Sequence, residues 1–354
     1  MKFVCYTDWD QLPGSANALF AQAEKESFFF SRPWFESLSA MALDNDQSLL
    51  LACVLEGNRV MALLPLVQCP GKTWFALKHR YTSLYSLLLA DLHLNQHQHQ
   101  EQVLDCLAQG LNELPVSAFL FEPVAEDDRK LSGLQRAMEV VGFSCEHIFR
   151  FYNWIYHVRG QSFAEYMATR PARLRNTIAR KARKLEREHG YEIRLFICDE
   201  VPRAMSDYYA VYTASWKANE QYQGFVDDMV ARFSRAGVSG PGWTRLAVLY
   251  IKGKPAAAQL WFVLHGKASI FRLSYDKVWK SYSPGSILTR FLMEYVIDTD
   301  KVTEIDFLTG NDAYKQDWMS ERRERFALSC VKNVKPAGWF KMFTGLLQRL
   351  LKRK

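Results

Sequence analysis

Two apolar runs flank a short polar turn in SLLLACVLEGNRVMALLPLVQ, Ser48 to Gln68, where almost every position outside Glu56-Gly57-Asn58-Arg59 is hydrophobic. Runs of this length, punctuated by Gly and Asn, predict a hairpin of mostly buried strands. Upstream, residues 15 to 43 read as helical segments split at Ser31-Arg32-Pro33, where proline can open the second helix in its first turn. Helices are expected over about 99–114 and 129–141, with short strands around Phe119 and Phe151. A basic helix follows over 171–189, then a strand from Tyr191 to Ile197 and a helix from about Pro202 to Asn219. A second hairpin begins LAVLYIKG (Leu246 to Gly253) and parallels LLACVLEG (Leu50 to Gly57), each leading into a strand with an alanine, Ala62 or Ala258. The parallel suggests a duplicated unit, although any glycine-turned buried hairpin gives the same pattern. Beyond it, Lys267 to Tyr275 is a strand, Ser281 to Ser286 a Pro-Gly loop, Ile287 to Ile297 a helical repeat and Val302 to Leu308 a strand. That order is a β-α-β crossover, which predicts a mixed or parallel sheet with a ligand site at strand ends.

Composition narrows the class. The 354 residues are 49% hydrophobic and include 23 Phe, 16 Tyr and 10 Trp, enough apolar surface to exclude disorder and to fill two cores. A net charge of +7 points to an anionic partner. The seven cysteines are scattered without a CxxC pair and read as free thiols of a reducing compartment. The start MKFVCYTDWDQLPG lacks the apolar run of a signal peptide, and no stretch approaches the ~20 apolar residues of a membrane span, so a cytoplasmic protein is expected.

Four features carry candidate chemistry. In the loop Ser283-Pro284-Gly285-Ser286, small residues open a helix whose N–H groups and dipole suit a pyrophosphate, with Lys277, Lys280 and Arg290 nearby; an ordinary helix cap is the plain alternative. The helix Arg170 to Glu188 holds eight Lys or Arg between Arg170 and Arg187 while keeping Leu174, Ile178, Ala182 and Leu185 on one face. It could meet nucleic-acid phosphates or an anionic acceptor, or be a solvated helix flanking the site. The tail Pro336 to Lys354 sets Trp339, Phe340, Phe343, Leu346, Leu347, Leu350 and Leu351 at helical spacing against five cations. Such a helix could lie in an anionic membrane surface, cap the core or join a dimer. His93, His97 and His99 lack an acid or thiol to complete a metal set and read as a surface loop. Gly237 to Gly242 (GVSGPG) is not a nucleophile elbow, and neither a P-loop nor a dinucleotide fingerprint is present.

The run SYDKVWKSYSPGSILTRFLMEYVID…VTEIDFLTGNDAYKQDW resembles the GNAT-type acyltransferase family that includes the CelD-like proteins of exopolysaccharide biosynthesis. More distantly it is similar to the Fem-type peptidoglycan aminoacyltransferases, built from two GNAT-like halves. The matching pieces are Tyr275-Asp276, Ser283-Pro284-Gly285, Asp306-Phe307 with Gly310, and Tyr314-Lys315; Phe28 to Leu38 and Ala62 to Leu66 resemble the first half. The resemblance implies an α/β (α+β) fold of two GNAT-like lobes with mixed sheets, at 1–155 and 156–335, followed by the amphipathic tail 336–354. It implies an N-acyltransferase that uses an acyl-CoA or carrier thioester and no metal, and acts on an amine of a cell-envelope, amino-sugar, amino-acid or lipid-linked precursor. Ser283, Pro284, Gly285 and Ser286 would hold the cofactor pyrophosphate. Backbone N–H groups at the end of the Lys267 to Tyr275 strand would receive the oxyanion. Asp306, alone among apolar strand neighbours, or Asp276 would be the base, Asp306 having a structural role as its alternative. Tyr275 or Tyr314 would protonate the thiolate, and Lys315 would contact the acceptor. A tRNA-borne aminoacyl donor and a non-catalytic membrane adaptor are the competing readings.

Overall fold

In the computed structural model, which describes residues 1–91, 97–218, 222–235 and 242–333, the expected buried hairpin forms and lies near one edge of a single large sheet. The first half of the chain contains β1 (Lys2–Tyr6), α1 (Ala16–Ala23), α2 (Arg32–Met41), β2 (Ser48–Glu56), β3 (Arg59–Gln68), β4 (Thr73–Ala76) and β5 (Leu88–Leu89). It continues through α3 (His97–Glu113), β6 (Ala118–Ala125), α4 (Arg129–Val140) and β7 (Phe143–His157). The second half adds α5 (Phe163–Thr169), α6 (Ala172–His189), β8 (Glu192–Ile197), α7 (Val201–Ala214), α8 (Gln223–Arg235), β9 (Thr244–Ile251) and β10 (Lys254–Leu264). Then come β11 (Lys267–Tyr275), α9 (Pro284–Asp298), β12 (Glu304–Thr309), α10 (Lys315–Trp318) and β13 (Glu321–Lys332). Pro33 sits in the first turn of α2, behind a Ser31 cap whose hydroxyl accepts the Trp34 N–H.

The strand order is β1-β2-β3-β4-β6-β13-β7-β12-β11-β10-β9-β8, with β5 on β3. This differs from one sheet per half. β13, the last described strand, inserts between β6 and β7 and pairs antiparallel with both, so its ladders close the gap between the halves. The sheet is mixed, because β4–β6 and β11–β12 are parallel and the other pairs antiparallel.

Two apolar clusters flank it. The larger draws on α1, α2, α3 and α4 but also on α7, α8 and Phe271 of β11, so residues from both halves share one core. Phe28 and Trp34 are its hinge: Trp34 packs edge-on against Phe225 at 5.6 Å and Phe271 at 6.2 Å. The smaller cluster joins α5, α6 and α9 to the opposite face through Ala268, Ile270, Ile305 and Phe307. All seven cysteines are free. No helix among the described residues is long and apolar enough to cross a membrane. His93, most of Gly237 to Gly242 and the tail 336–354 lie outside the described residues.

Candidate active site

β11 and β12 run side by side for only three residue pairs, Lys267–Glu304, Ala268–Ile305 and Ser269–Asp306, and then part. Beyond Ser269, β11 bulges at Phe271, where its register with β10 slips by one. Beyond Asp306, β12 slips against β7 and Leu308 takes a positive φ of 51°. Two strands that bend apart open the sheet at its middle. Residues two apart share a face. Lys267, Ser269, Glu304 and Asp306 therefore point together into a cavity of about 800 Å³ on the face opposite α9.

The cavity lies between the two halves. The first half contributes Glu24 to Phe30, Ser83, Leu84, Ala125 and Asp127 to Lys130; the second contributes Phe262 and Leu264 and the strand residues just named, with β13 adding Glu321, Arg323 and Arg325. Its wall is zwitterionic. Lys130 pairs with Glu26 at 2.7 Å and Arg323 with Glu304 at 2.9 Å.

Asp306 is the central acid. Its Oδ1 accepts the Asn153 Nδ2 at 2.5 Å and the Leu308 N–H at 2.6 Å. Among the described residues its Oδ2 accepts no hydrogen bond. Burial pushes the carboxyl above its ordinary value, and the Glu304 charge adds to this; the Asn153 and Leu308 donors and the Arg325 charge pull it back. Asn153 and Arg325 are 1% and 5% exposed. Neither stands out in the sequence, where Asn153 is one polar residue in the aromatic run FYNWIYH and Arg325 one of three arginines in ERRERF.

The other predicted residues fall elsewhere. Tyr275 and Asp276 lie at the far end of β11, six and seven residues beyond Ser269, about 20 Å at strand rise. Asp276 caps the turn that follows, accepting the Val278 N–H at 3.0 Å. Ser283, in left-handed conformation (φ 55°), leads into α9 with Pro284 in the first turn. Pro284 has no N–H, and those of Ser286 and Ile287 go to the Ser283 carbonyl, so the turn presents the Gly285 N–H. A Cβ at Gly285 would stand 3.3 Å from the Tyr275 ring, which makes this turn and Tyr275 one surface. The basic helix α6 flanks it, with the Lys181 ammonium donating to the Ser281 carbonyl. Leu174, Ile178, Ala182 and Leu185 form its packed face, as the spacing predicts.

Tyr314 and Lys315 follow β12. Tyr314 is 44% exposed, its ring 6.4 Å from Phe307; desolvation and the Asp312 charge hold its phenol above the ordinary range, so it stays protonated. Lys315 is buried, and its Nζ donates to the carbonyls of Phe307 at 2.9 Å and Thr309 at 2.6 Å. Its ammonium is thus taken up by the end of β12, where the unpaired strand leaves carbonyls to be satisfied. Asp306 lines the cavity and Tyr314 stands against Phe307, a residue of the α9-side cluster, while the Ser283–Ser286 turn, Tyr275 and Asp276 gather at the outer end of β11.

Residues 172–316 match the family described as the acetyltransferase (GNAT) domain. No curated protein matches the chain. Among solved structures, FemX superposes with a TM-score of 0.63 at 10% identity, covering 93% of this chain and 97% of that one. L-PGS from Bacillus licheniformis gives 0.53 at 13% identity, over 90% and 97%. A tandem GNAT protein from the clavulanic acid biosynthesis pathway gives 0.50 at 13% identity, over 94% and 99%. At such identities the likeness is one of fold.

Proposed function

We propose, from the match of residues 172–316 to the acetyltransferase (GNAT) domain family and the tandem-GNAT-like fold, that this chain is an N-acyltransferase moving an acyl group from a coenzyme A thioester to an amine. The observation that carries this reading is the parting of β11 and β12 at Ser269 and Asp306. It joins two separate approaches: a helix-opening turn on the α9 face and a polar cavity on the other. Past Ser269 the β12-facing edge of β11 is left unpaired by β12, a ladder on which an amide-containing pantetheine arm can lie as an added strand. The Gly285 N–H, the start of α9 and exposed Lys277 and Lys280 would face the pyrophosphate. Six residues of strand between that turn and Asp306 match the reach of an extended arm.

The amine would enter from the cavity. Its nitrogen attacks the thioester carbon, Asp306 Oδ2 takes the amine proton, and unpaired N–H groups at the β11 bulge face the oxyanion. As the C–S bond breaks, the thiolate takes a proton from Tyr314, which stands beside Phe307 next to Asp306 on the donor's face of the sheet, in preference to the distant Tyr275. Asp276 and Lys315 then serve structure, one as a cap and the other as a clamp on β12. The lobes 1–155 and 156–335 would share the acceptor cavity, whose volume admits an amino acid, amino sugar or larger envelope precursor. A tRNA-borne donor is the second reading, favoured by the exposed Arg173, Arg175, Arg180, Arg183 and Arg187 of α6 beside the same turn.

The test is a thermal-shift titration with coenzyme A and acetyl- to long-chain acyl-CoAs. A donor at 100 times its dissociation constant stabilises the fold by about 2.7 kcal/mol. Gly285→Leu, which drives a side chain into Tyr275, is expected to abolish the shift. No shift with any thioester, together with salt-sensitive tRNA binding, would transfer the proposal to the second reading.

A further inference from the structure

We infer that Asn153 and Arg325 are a positioning pair that fixes which oxygen of Asp306 faces the cavity. The inference rests on the reading of Asp306 as the base and adds two residues to it. The Arg325 guanidinium can only donate, and its Nη2 lies 2.9 Å from the side-chain oxygen of Asn153. That contact sets the amide's orientation, so Nδ2 must face the other way, toward Asp306 Oδ1 at 2.5 Å and the Leu308 carbonyl at 3.2 Å. A free asparagine could turn either atom to the carboxylate; this one cannot without placing an NH₂ against a guanidinium. With the Leu308 N–H on the same oxygen, Oδ1 holds two donors, and the proton-accepting lone pairs left over are those of Oδ2.

The three residues come from three adjacent strands, β13, β7 and β12, so the arrangement is built into the central ladder. Arg325 is itself anchored by donating from Nη1 to the Glu324 carbonyl at 3.0 Å. No carboxylate of the described residues lies within salt-bridge distance of it, and its Nε is buried without a partner. Its charge therefore acts on Asp306 across the asparagine. The other charged or titratable groups around Asp306 are Glu304 on its own strand, Lys267 on β11, His157 on β7, Arg323 on β13 and Lys315 on α10, with Asp127 beyond Arg325.

The experiment follows the Asp306 carboxyl directly, by ¹³C NMR of [¹³Cγ]aspartate-labelled full-length chain, with the resonance assigned by its loss in Asp306→Asn. Asn153→Ala removes a donor to the charged form and is expected to move the titration upward by about 1 pH unit. Arg325→Lys keeps the charge but loses the planar fork and is expected to move it in the same direction by less. The double variant is expected to titrate where Asn153→Ala does, since Arg325 works through Asn153. Should Asn153→Ala not fold, Asn153→Ser serves in its place. In parallel, thiol release from acetyl-CoA with a panel of free amines is expected to lose 10- to 100-fold in kcat with little change in KM, its acid limb moving with the carboxyl. An Asp306 titration unchanged in folded single variants overturns the inference, and additive shifts in the double variant overturn the part given to Arg325. A titration that moves while no amine supports turnover sustains the positioning pair and removes the acyl-transfer reading instead.

Discussion

A carboxylate held away from water costs the folded state free energy while it is ionised, and Asp306 is such a group. Its carboxyl titrates above the ordinary 3.8, so just above that value the folded chain keeps a proton that the unfolded chain has released. Stability falls as pH rises through that window and stays lower at neutral pH. Asp306→Asn is therefore expected to melt about 1–3 °C above the parent at pH 7, with the gain fading near pH 4, while amine-dependent thiol release drops at least 100-fold. Melting curves across pH and a thiol assay test both halves; a variant that melts lower at pH 7 removes the strain argument. His79 runs the opposite way. Burial, then the Arg80 and Arg272 charges, lower it to about 4 from 6.5, among Phe225 at 4.4 Å, Tyr222 at 4.9 Å and Tyr81 at 5.0 Å. The unfolded chain binds that proton first, so up to about 3 kcal/mol of stability is lost as pH falls from 6.5 to 4. His79→Phe is expected to flatten this limb in urea melts. At this scale the sequence exposed Asp306, because one acid among Ile305, Phe307 and Leu308 is conspicuous. It could not expose Asn153 or Arg325, whose meaning comes from strands 153 and 19 residues away from Asp306 along the chain.

Elements were legible wherever one periodicity dominated. The β2–β3 and β9–β10 hairpins, α3, α4, α6 and α9 stand close to where their apolar spacing puts them. β13 is not legible in the sequence, because ERRERF is charged at five of six positions and shows no apolar alternation, and its place becomes evident only between β6 and β7. The end of β12 shows how a neighbouring element completes what a strand lacks. It diverges from β11 and slips against β7, so the carbonyls of Phe307 and Thr309 take the Lys315 ammonium from α10. Lys315→Met keeps the stem and removes the donors, leaving two carbonyls short of a partner. A loss of about 2–4 kcal/mol is expected in denaturant melts, without recovery in high salt, since a buried donor is not replaced by ions. Lys315 thus holds the end of β12, a contact its place beside Tyr314 in the sequence did not disclose.

For the molecule as a whole, the repeated hairpin suggests two halves, and the sheet joins them through β13. A duplicated hairpin is a local signal, whereas insertion of the last strand between β6 and β7 is a pairing of residues about two hundred positions apart that no window of sequence displays. The shared core makes the same point through packing. Trp34 belongs to α2 in the first half, is fully buried, and makes its aromatic contacts with Phe28 and Phe29 on one side and with Phe225 and Phe271 of the second half on the other. Trp34→Ala would empty a space bounded by both halves, at a cost of about 3–5 kcal/mol. If the halves unfolded separately, the variant would split the thermal transition, with β9 and β10 surviving while β2 and β3 melt. Because one cluster spans both, a single transition is expected to move down intact, its calorimetric and van't Hoff enthalpies remaining equal. Amide exchange in β2–β3 and β9–β10 should accelerate together. The cavity that receives Asp306 is walled by both halves, so the same variant is also expected to weaken acceptor affinity before it lowers donor affinity: the turn proposed for the thioester rests on α9 and the opposite core, while Phe28, Phe29 and Phe30, next to Trp34, line the cavity.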